Sequence, residues 1–288
     1  MIPASYVQEW RAKAPWPGVR QVEQDLIICR TLCDLFNTRA LAGKIAFRGG
    51  TAIHKLLFQK PLRYSEDIDL VQTRAEGIGP TVDAIRDALS WLGKCKRTRA
   101  QHSTQLVFRF TPEAGAETTL KLKIEVNTRE HESFYGIRTY PFELESRWYR
   151  AETDIAAFAP EELFATKLRA LLQRRKSRDL FDLNEGLKQL SMNPDRLVAC
   201  FEHYLALEGN QITRATAEQR MLEKLERSLT EDVEPLLPVG VTFTESDAIL
   251  AFGKVWTELI ALIKGDPWRL TDKVVEELRE KKYPNLLS

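Results

Sequence analysis

The sequence predicts an α+β fold: a small mixed β-sheet with flanking helices, followed by an all-helical lobe. Three observations carry that reading. Strand-like alternation of apolar and polar residues is confined to short runs before residue 130. Apolar spacing of the helical kind dominates from Glu161 onward. Pro141 and Pro160 bracket the transition, so the expected division is 1–155 for the mixed domain and 156–288 for the helical one.

The elements follow in chain order. Residues 20–42 carry apolar positions at helical spacing and read as one amphipathic helix. Lys44 to Arg48 is a short β-like run broken by Gly49-Gly50, with Thr51 expected to cap a helix carrying Ile53, Leu56, Leu57 and Phe58. A strand is expected over 63–71 and a helix over 80–93. Strands are expected again over 105–110 and 120–127, the latter alternating Leu122, Ile124, Val126 against Lys121, Lys123, Glu125, Asn127. Helices are then expected at 161–175, 179–190, 194–206, 215–229, 244–264 and 271–281, with caps from Thr244 plus Asp247 and from Thr271. Pro235 to Gly240 reads as a loop, and no repeat or low-complexity tract interrupts the pattern.

Composition narrows the function classes. At 288 residues and 43% hydrophobic content the chain can bury a core in one or two domains. A formal net charge of +1 gives no bulk attraction to nucleic acid or membrane, so a polyanion has to be held by a local patch. The chain has no long apolar run, and Met-Ile-Pro-Ala-Ser-Tyr does not open a signal peptide, so the expected location is cytoplasmic with no membrane partner. Cys29, Cys33, Cys95 and Cys200 lack metal spacing and are expected as reduced, mostly core thiols. His54 is expected to be a half-exposed helix residue.

The chemistry concentrates in Arg-Tyr-Ser-Glu-Asp-Ile-Asp-Leu, residues 63–70. In an extended chain Arg63, Ser65, Asp67 and Asp69 share one face, and the two aspartates sit about 6.5–7 Å apart at Cα. Like charges so close raise each other's pKa, and a hard divalent cation with oxygen ligands relieves the repulsion. Glu125 on the 120–127 strand is a third oxygen donor, or simply one side of a solvated Lys/Glu strand face. Gly49-Gly50 running into a helix is either a tight turn or an anion-binding turn at a helix N-terminus. Beyond residue 160, Lys167 lies apart from the core-facing stripe, and Arg174, Arg175, Lys176 and Arg178 cluster before Asp179 and Asp182. That constellation is either a charged helix surface or a basic set oriented by carboxylates.

Taken together, Phe-Arg-Gly-Gly-Thr-Ala-Ile-His-Lys, Arg-Tyr-Ser-Glu-Asp-Ile-Asp-Leu, Lys-Ile-Glu-Val, Glu-Glu-Leu-Phe-Ala-Thr-Lys-Leu-Arg-Ala-Leu and Arg-Asp-Leu-Phe-Asp-Leu resemble the AbiEii/AbiGii nucleotidyltransferase toxins, members of the DNA polymerase beta-like nucleotidyltransferase superfamily. The resemblance spans roughly residues 44–185 in consistent order. It implies a bilobal α+β enzyme that uses Mg²⁺, in a two-metal arrangement, and an NTP. It also implies the toxin role in a bacterial toxin–antitoxin or abortive-infection pair, with a cognate antitoxin (a winged-helix protein in the expected gene arrangement) and an RNA acceptor such as the tRNA 3′ end. Carried onto this chain, Asp67 and Asp69 would hold metal, Glu125 would assist or deprotonate the acceptor, and Gly49, Gly50 and Thr51 would seat phosphates with Arg63 and Ser65 beside them. Lys167 would neutralise the triphosphate, and Asp179 and Asp182 would form the closing Asp-x-x-Asp. Where the superfamily often has Gly-Ser, this chain has Gly49-Gly50, with Thr51 as the nearest hydroxyl. Two other readings stand beside this one: an enzyme that modifies a protein or small molecule, with Ser65 itself a possible target, and a non-catalytic binding module on the same fold. The basic runs 94–99 and 174–178 are where RNA phosphates are expected.

Overall fold

The computed structural model describes residues 2–112 and 119–287. The chain forms two compact units, one of residues up to Ala159 together with Leu236–Gly240, the other of Pro160–Pro235 and the residues from Val241 onward.

The first unit is built on one mixed seven-stranded sheet. Its strands are β1 (Ile45–Arg48), β2 (Asp67–Gln72), β3 (Cys95–Arg99), β4 (Ser103–Phe110), β5 (Leu120–Asn127), β6 (Ile137–Glu145) and β7 (Arg150–Phe158), in the order β3-β4-β5-β2-β1-β7-β6. The pairs β2/β5 and β1/β7 are parallel and the rest antiparallel. Helix α1 (Ala4–Trp10) packs on α2 (Val19–Asn37), which lies on β5, β6 and β7; the short α3 (Gly49–Ala52) follows β1, and α4 (Gly79–Ala88) also packs on α2. The side chains of Leu26, Ile28, Leu32, Phe47, Ile68, Leu70, Leu122, Ile124 and Val126 are all fully buried, which is why both the alternation and the helical spacing were visible in the sequence.

Several expectations are corrected. The sheet is larger than expected, because β3 and the β6–β7 hairpin were not read as strands. Pro141, read as one bracket of a transition, instead lies within β6 opposite Asp154, and β6 is an edge strand, where proline is tolerated. The acidic strand starts at Asp67, not at residue 63, because the Tyr64 N–H donates to the Leu236 carbonyl (2.7 Å) instead of to a ladder. Thr51 is not a cap: the helix begins at Gly49 and passes into a π-turn over Ile53–Leu57, leaving Phe58 outside. His54 is buried rather than half-exposed, its ring stacked on Phe58.

Among the described residues the second unit has helices and no strands: α5 (Pro160–Gln173), α6 (Arg178–Gln189), α7 (Pro194–Leu207), α8 (Arg214–Lys224), α9 (Glu245–Glu258) and α10 (Thr271–Lys281). Thr244 and Asp247 form the expected capping box, the Asp247 N–H donating to Thr244 Oγ1 and the Thr244 N–H to Asp247 Oδ2. Thr271 instead lies inside its helix and gives its hydroxyl to Glu218. At Gly186 on α6 a Cβ would lie 2.4 Å from the Phe164 ring of α5, so only glycine allows these helices to approach so closely. The four cysteines are free, three of them buried, with Cys29 pushed up to about 12 by burial.

Candidate active site

Strand β2 lies between β1 and β5, and its alternation sends Ile68 and Leu70 into the core while Asp67 and Asp69 face the other way. Pairing register then decides what they meet. Asp69 stands opposite Arg48 on β1 and Glu125 on β5, and Asp67 stands opposite Lys123. The Lys123 ammonium lies 3.0 Å from Asp67 Oδ2 and 3.4 Å from Glu125 Oε2. Glu125 is further held by Ser103 Oγ (2.8 Å) and Gln105 Nε2 (3.1 Å), both donors on β4. Arg48 pairs with Glu130.

The electrostatics follow from this geometry. Burial raises the Asp69 pKa above the usual carboxylate range, Asp67 and Glu125 add to the rise, and Arg48 and Lys123 oppose it. Burial works against the Lys123 ammonium, but its hydrogen bond to Asp67 and the charges of Asp67, Glu125 and Asp69 outweigh burial and raise its pKa.

The diglycine bend is fitted against this row. Gly49 has φ of +80°, and a Cβ there would lie 2.2 Å from Asp69 Oδ2. The Thr51 hydroxyl is buried and donates to the Asp67 carbonyl. Its single proton being used, it accepts from Ser65 Oγ at 2.8 Å. Both hydroxyls therefore pin the bend to the start of β2. The turn beyond is anchored by Lys55, whose ammonium lies 2.6 Å from Asp25 Oδ2, and Asp25 also accepts from Trp10 Nε1 (2.9 Å) and Trp16 Nε1 (3.1 Å). Arg63 is buried and donates to the Tyr64 carbonyl.

The donor chemistry suits a hard divalent cation. Asp67 and Asp69 offer carboxylate oxygens from one strand, beside a third carboxylate, and an ammonium already stands as counter-charge between Asp67 and Glu125. Among the described residues no three His, Cys, Asp or Glu side chains form a ready-made cage.

Lys167, Asp179 and Asp182 belong to the second unit. The Lys167 ammonium lies 3.2 Å from Asp179 Oδ1 and 2.9 Å from Asp182 Oδ2, with both carboxylates fully buried and Arg174 Nε 3.4 Å from Asp179 Oδ2. The cluster pairs two positive charges with two negative ones and ties α5 to α6.

Residues missed as partners were Lys123, Ser103, Gln105, Lys55 and Asp25. Lys123 was legible as the same-face neighbour of Glu125 two residues away. Ser103 and Gln105 depend on register, which a single strand does not show.

The family model described as "Nucleotidyl transferase AbiEii toxin, Type IV TA system" matches residues 30–251. No curated protein matches the chain in sequence. Among solved structures, MenT4, a nucleotidyltransferase toxin from Mycobacterium tuberculosis, is similar with a TM-score of 0.64 at 16% identity, over 100% of this chain and 98% of that one. JHP933 from Helicobacter pylori is similar with a TM-score of 0.55 at 16% identity, over 91% of this chain and 96% of that one. At such identity the structures show a shared fold. No helix among the described residues is long and apolar enough to cross a membrane.

Proposed function

Because the chain belongs to the AbiEii family of nucleotidyltransferase toxins, we propose that it transfers a nucleotide from an NTP to a hydroxyl of an RNA acceptor such as the tRNA 3′ end. The observation that carries this reading is the cross-strand row of Arg48, Asp69 and Glu125 beside the Gly49 bend, with Asp67 one step along β2.

In this reading the acceptor oxygen attacks the α-phosphorus, the bond from that phosphorus to the bridging oxygen breaks, and pyrophosphate leaves. Asp67 and Asp69 would hold Mg²⁺, which when bound neutralises charge on the phosphates. Glu125, fixed by Ser103 and Gln105, takes the acceptor proton. Lys123, paired with both, holds the Asp67 and Glu125 carboxylates near each other before substrate arrives. Gly49, packed against Asp69, would set phosphates held at the Gly49-Gly50 bend beside the carboxylates. A type IV toxin is paired with a cognate antitoxin, which this reading expects to be a winged-helix protein.

The test is transfer of α-labelled nucleotide, using each NTP in turn with and without a tRNA pool. Asp67→Asn should lower label on RNA by at least about 10²-fold, since a metal ligand supplies several kcal/mol and each 1.36 kcal/mol is tenfold. Its thermal midpoint should stay close to wild type. Undiminished transfer would remove Asp67 from the mechanism, and label found only on protein would replace the RNA acceptor with a protein one.

A further inference from the structure

The face of the sheet that bears Asp67 and Asp69 continues outward across β5, β4 and β3. Register gives one row of Asp67, Lys123, Val107 and Lys96 across four strands, and a next row of Asp69, Glu125, Gln105 and Thr98. At about 4.8 Å per strand, Lys96 stands roughly 14 Å from Asp67. Further along β5, Lys121 stands directly opposite Arg109 of β4. Lys96, Arg109 and Lys121 are all exposed, and among the described residues none of the three has an ion pair or side-chain hydrogen bond.

Two like charges directly opposite on antiparallel strands destabilise the sheet. Arg109 facing Lys121, with no carboxylate of a described residue bonded to either, is a cost that the described part of the fold does not offset. A polyanion laid on the face removes it.

We propose that this open face, marked by Lys96, Arg109 and Lys121, holds the phosphate backbone of the RNA acceptor and leads its end toward Asp67 and Asp69. The inference rests on the reading of an RNA acceptor given above. It departs from the basic run 94–99 as a unit, because alternation sends Arg97 and Arg99 to the opposite face, in register with buried Leu106 and Thr104. The charge matches nucleic acid: a cationic track, sequence-indifferent, ending at the carboxylates. An acidic protein segment is the competing occupant.

The experiment is fluorescence anisotropy of labelled bulk tRNA and of a short labelled oligoribonucleotide with the full-length protein, across a KCl series. Arg109→Ala combined with Lys121→Gln, and separately Lys96→Gln, should weaken binding several-fold. They should also lower the slope of log K against log salt by about 0.7 for each single-strand phosphate that is no longer neutralised. Arg97→Ala with Arg99→Ala removes the same charge from the same strand region and should leave both quantities unchanged. The thermal midpoint of the Arg109/Lys121 pair variant should be equal to or above wild type, since a repulsion is gone. Equal weakening by both sets would reduce the effect to bulk charge and overturn the proposal. Unchanged RNA binding in the Lys96 and Arg109/Lys121 variants would overturn it too, and leave the acidic protein as occupant. Either result leaves the enzyme reading intact provided that Asp67-dependent labelling of RNA persists; if wild type labels no RNA, it is the acceptor reading that fails.

Discussion

Asp67 and Asp69 on one hand, and Asp179 and Asp182 on the other, are each an aspartate pair with a lysine bonded to at least one member, yet they build opposite environments. On a strand, spacing of two puts both carboxylates on one face; on a helix, spacing of three does the same. The difference is cover. Lys123 and Asp67 keep about a third or more of their side-chain surface in solvent, whereas Lys167 is nearly buried and its aspartates wholly so. A half-exposed pair exchanges partners easily and can accept a substrate's charge. A buried cluster cannot give up Lys167 without removing the one ammonium that two buried carboxylates share. The same two residue types thus build a half-exposed acidic cluster in one unit and a buried charge cluster in the other.

That contrast is broken or upheld by Lys167→Met against Lys123→Met. Removing one partner of a buried ion cluster costs about 3–5 kcal/mol, while an exposed pair contributes about 0–1 kcal/mol. Lys167→Met should therefore lower the thermal midpoint strongly, with any loss of transfer explained by the unfolded fraction. The triple variant Lys167→Met, Asp179→Asn, Asp182→Asn should recover part of the stability, because no charge is left buried alone. Lys123→Met should melt near wild type. A wild-type melt for Lys167→Met together with lost transfer would show that Lys167 acts on substrate, as the sequence alone suggested.

What could be read from the sequence divides along the same physical line. Alternation at 120–127 and helical spacing after 160 report which side chains face a core, so β5 and α5 to α10 were legible, as were the carboxylates of β2. Cross-strand register and burial depth are set by distant segments and were not. Nothing local tells that Arg48 and Glu125 flank Asp69, that Thr51 spends its hydroxyl on the Asp67 carbonyl, or that Lys167 is buried. Strand β6 was hidden for a related reason: a proline is informative about ladder bonds only once it is known whether the strand is at an edge.

The next effect in size concerns the bend. Gly49→Ala meets both a left-handed backbone, at about 1–2 kcal/mol for an L-residue, and a Cβ position 2.2 Å from Asp69 Oδ2. Asp69 has to move for the methyl to fit. Transfer should therefore fall further than the stability loss accounts for, which a comparison of rate and thermal midpoint in one preparation would show. Equal activity per folded molecule would mean that the bend and Asp69 are not coupled.

The smallest effect is the most specific. Burial, with Asp67 and Glu125, holds the Asp69 pKa above its ordinary value of about 4. When the folded pKa is the higher one, the unfolded chain loses its proton first as pH rises. The stability tied to protonated Asp69 is then fully present below the unfolded pKa and is lost as pH rises through the folded one. Asp69→Asn has no such titration. In chelator, wild type should lose stability relative to Asp69→Asn as pH rises from about 4 toward neutral, and magnesium should restore it in wild type alone. Because proton and cation compete for the same oxygens, wild-type Mg²⁺ affinity should weaken as pH falls. Melting curves across that range, with and without Mg²⁺, measure both; a gap between the two proteins that ignores pH and metal alike would take Asp69 out of the cation site and leave it an ordinary buried carboxylate facing Arg48.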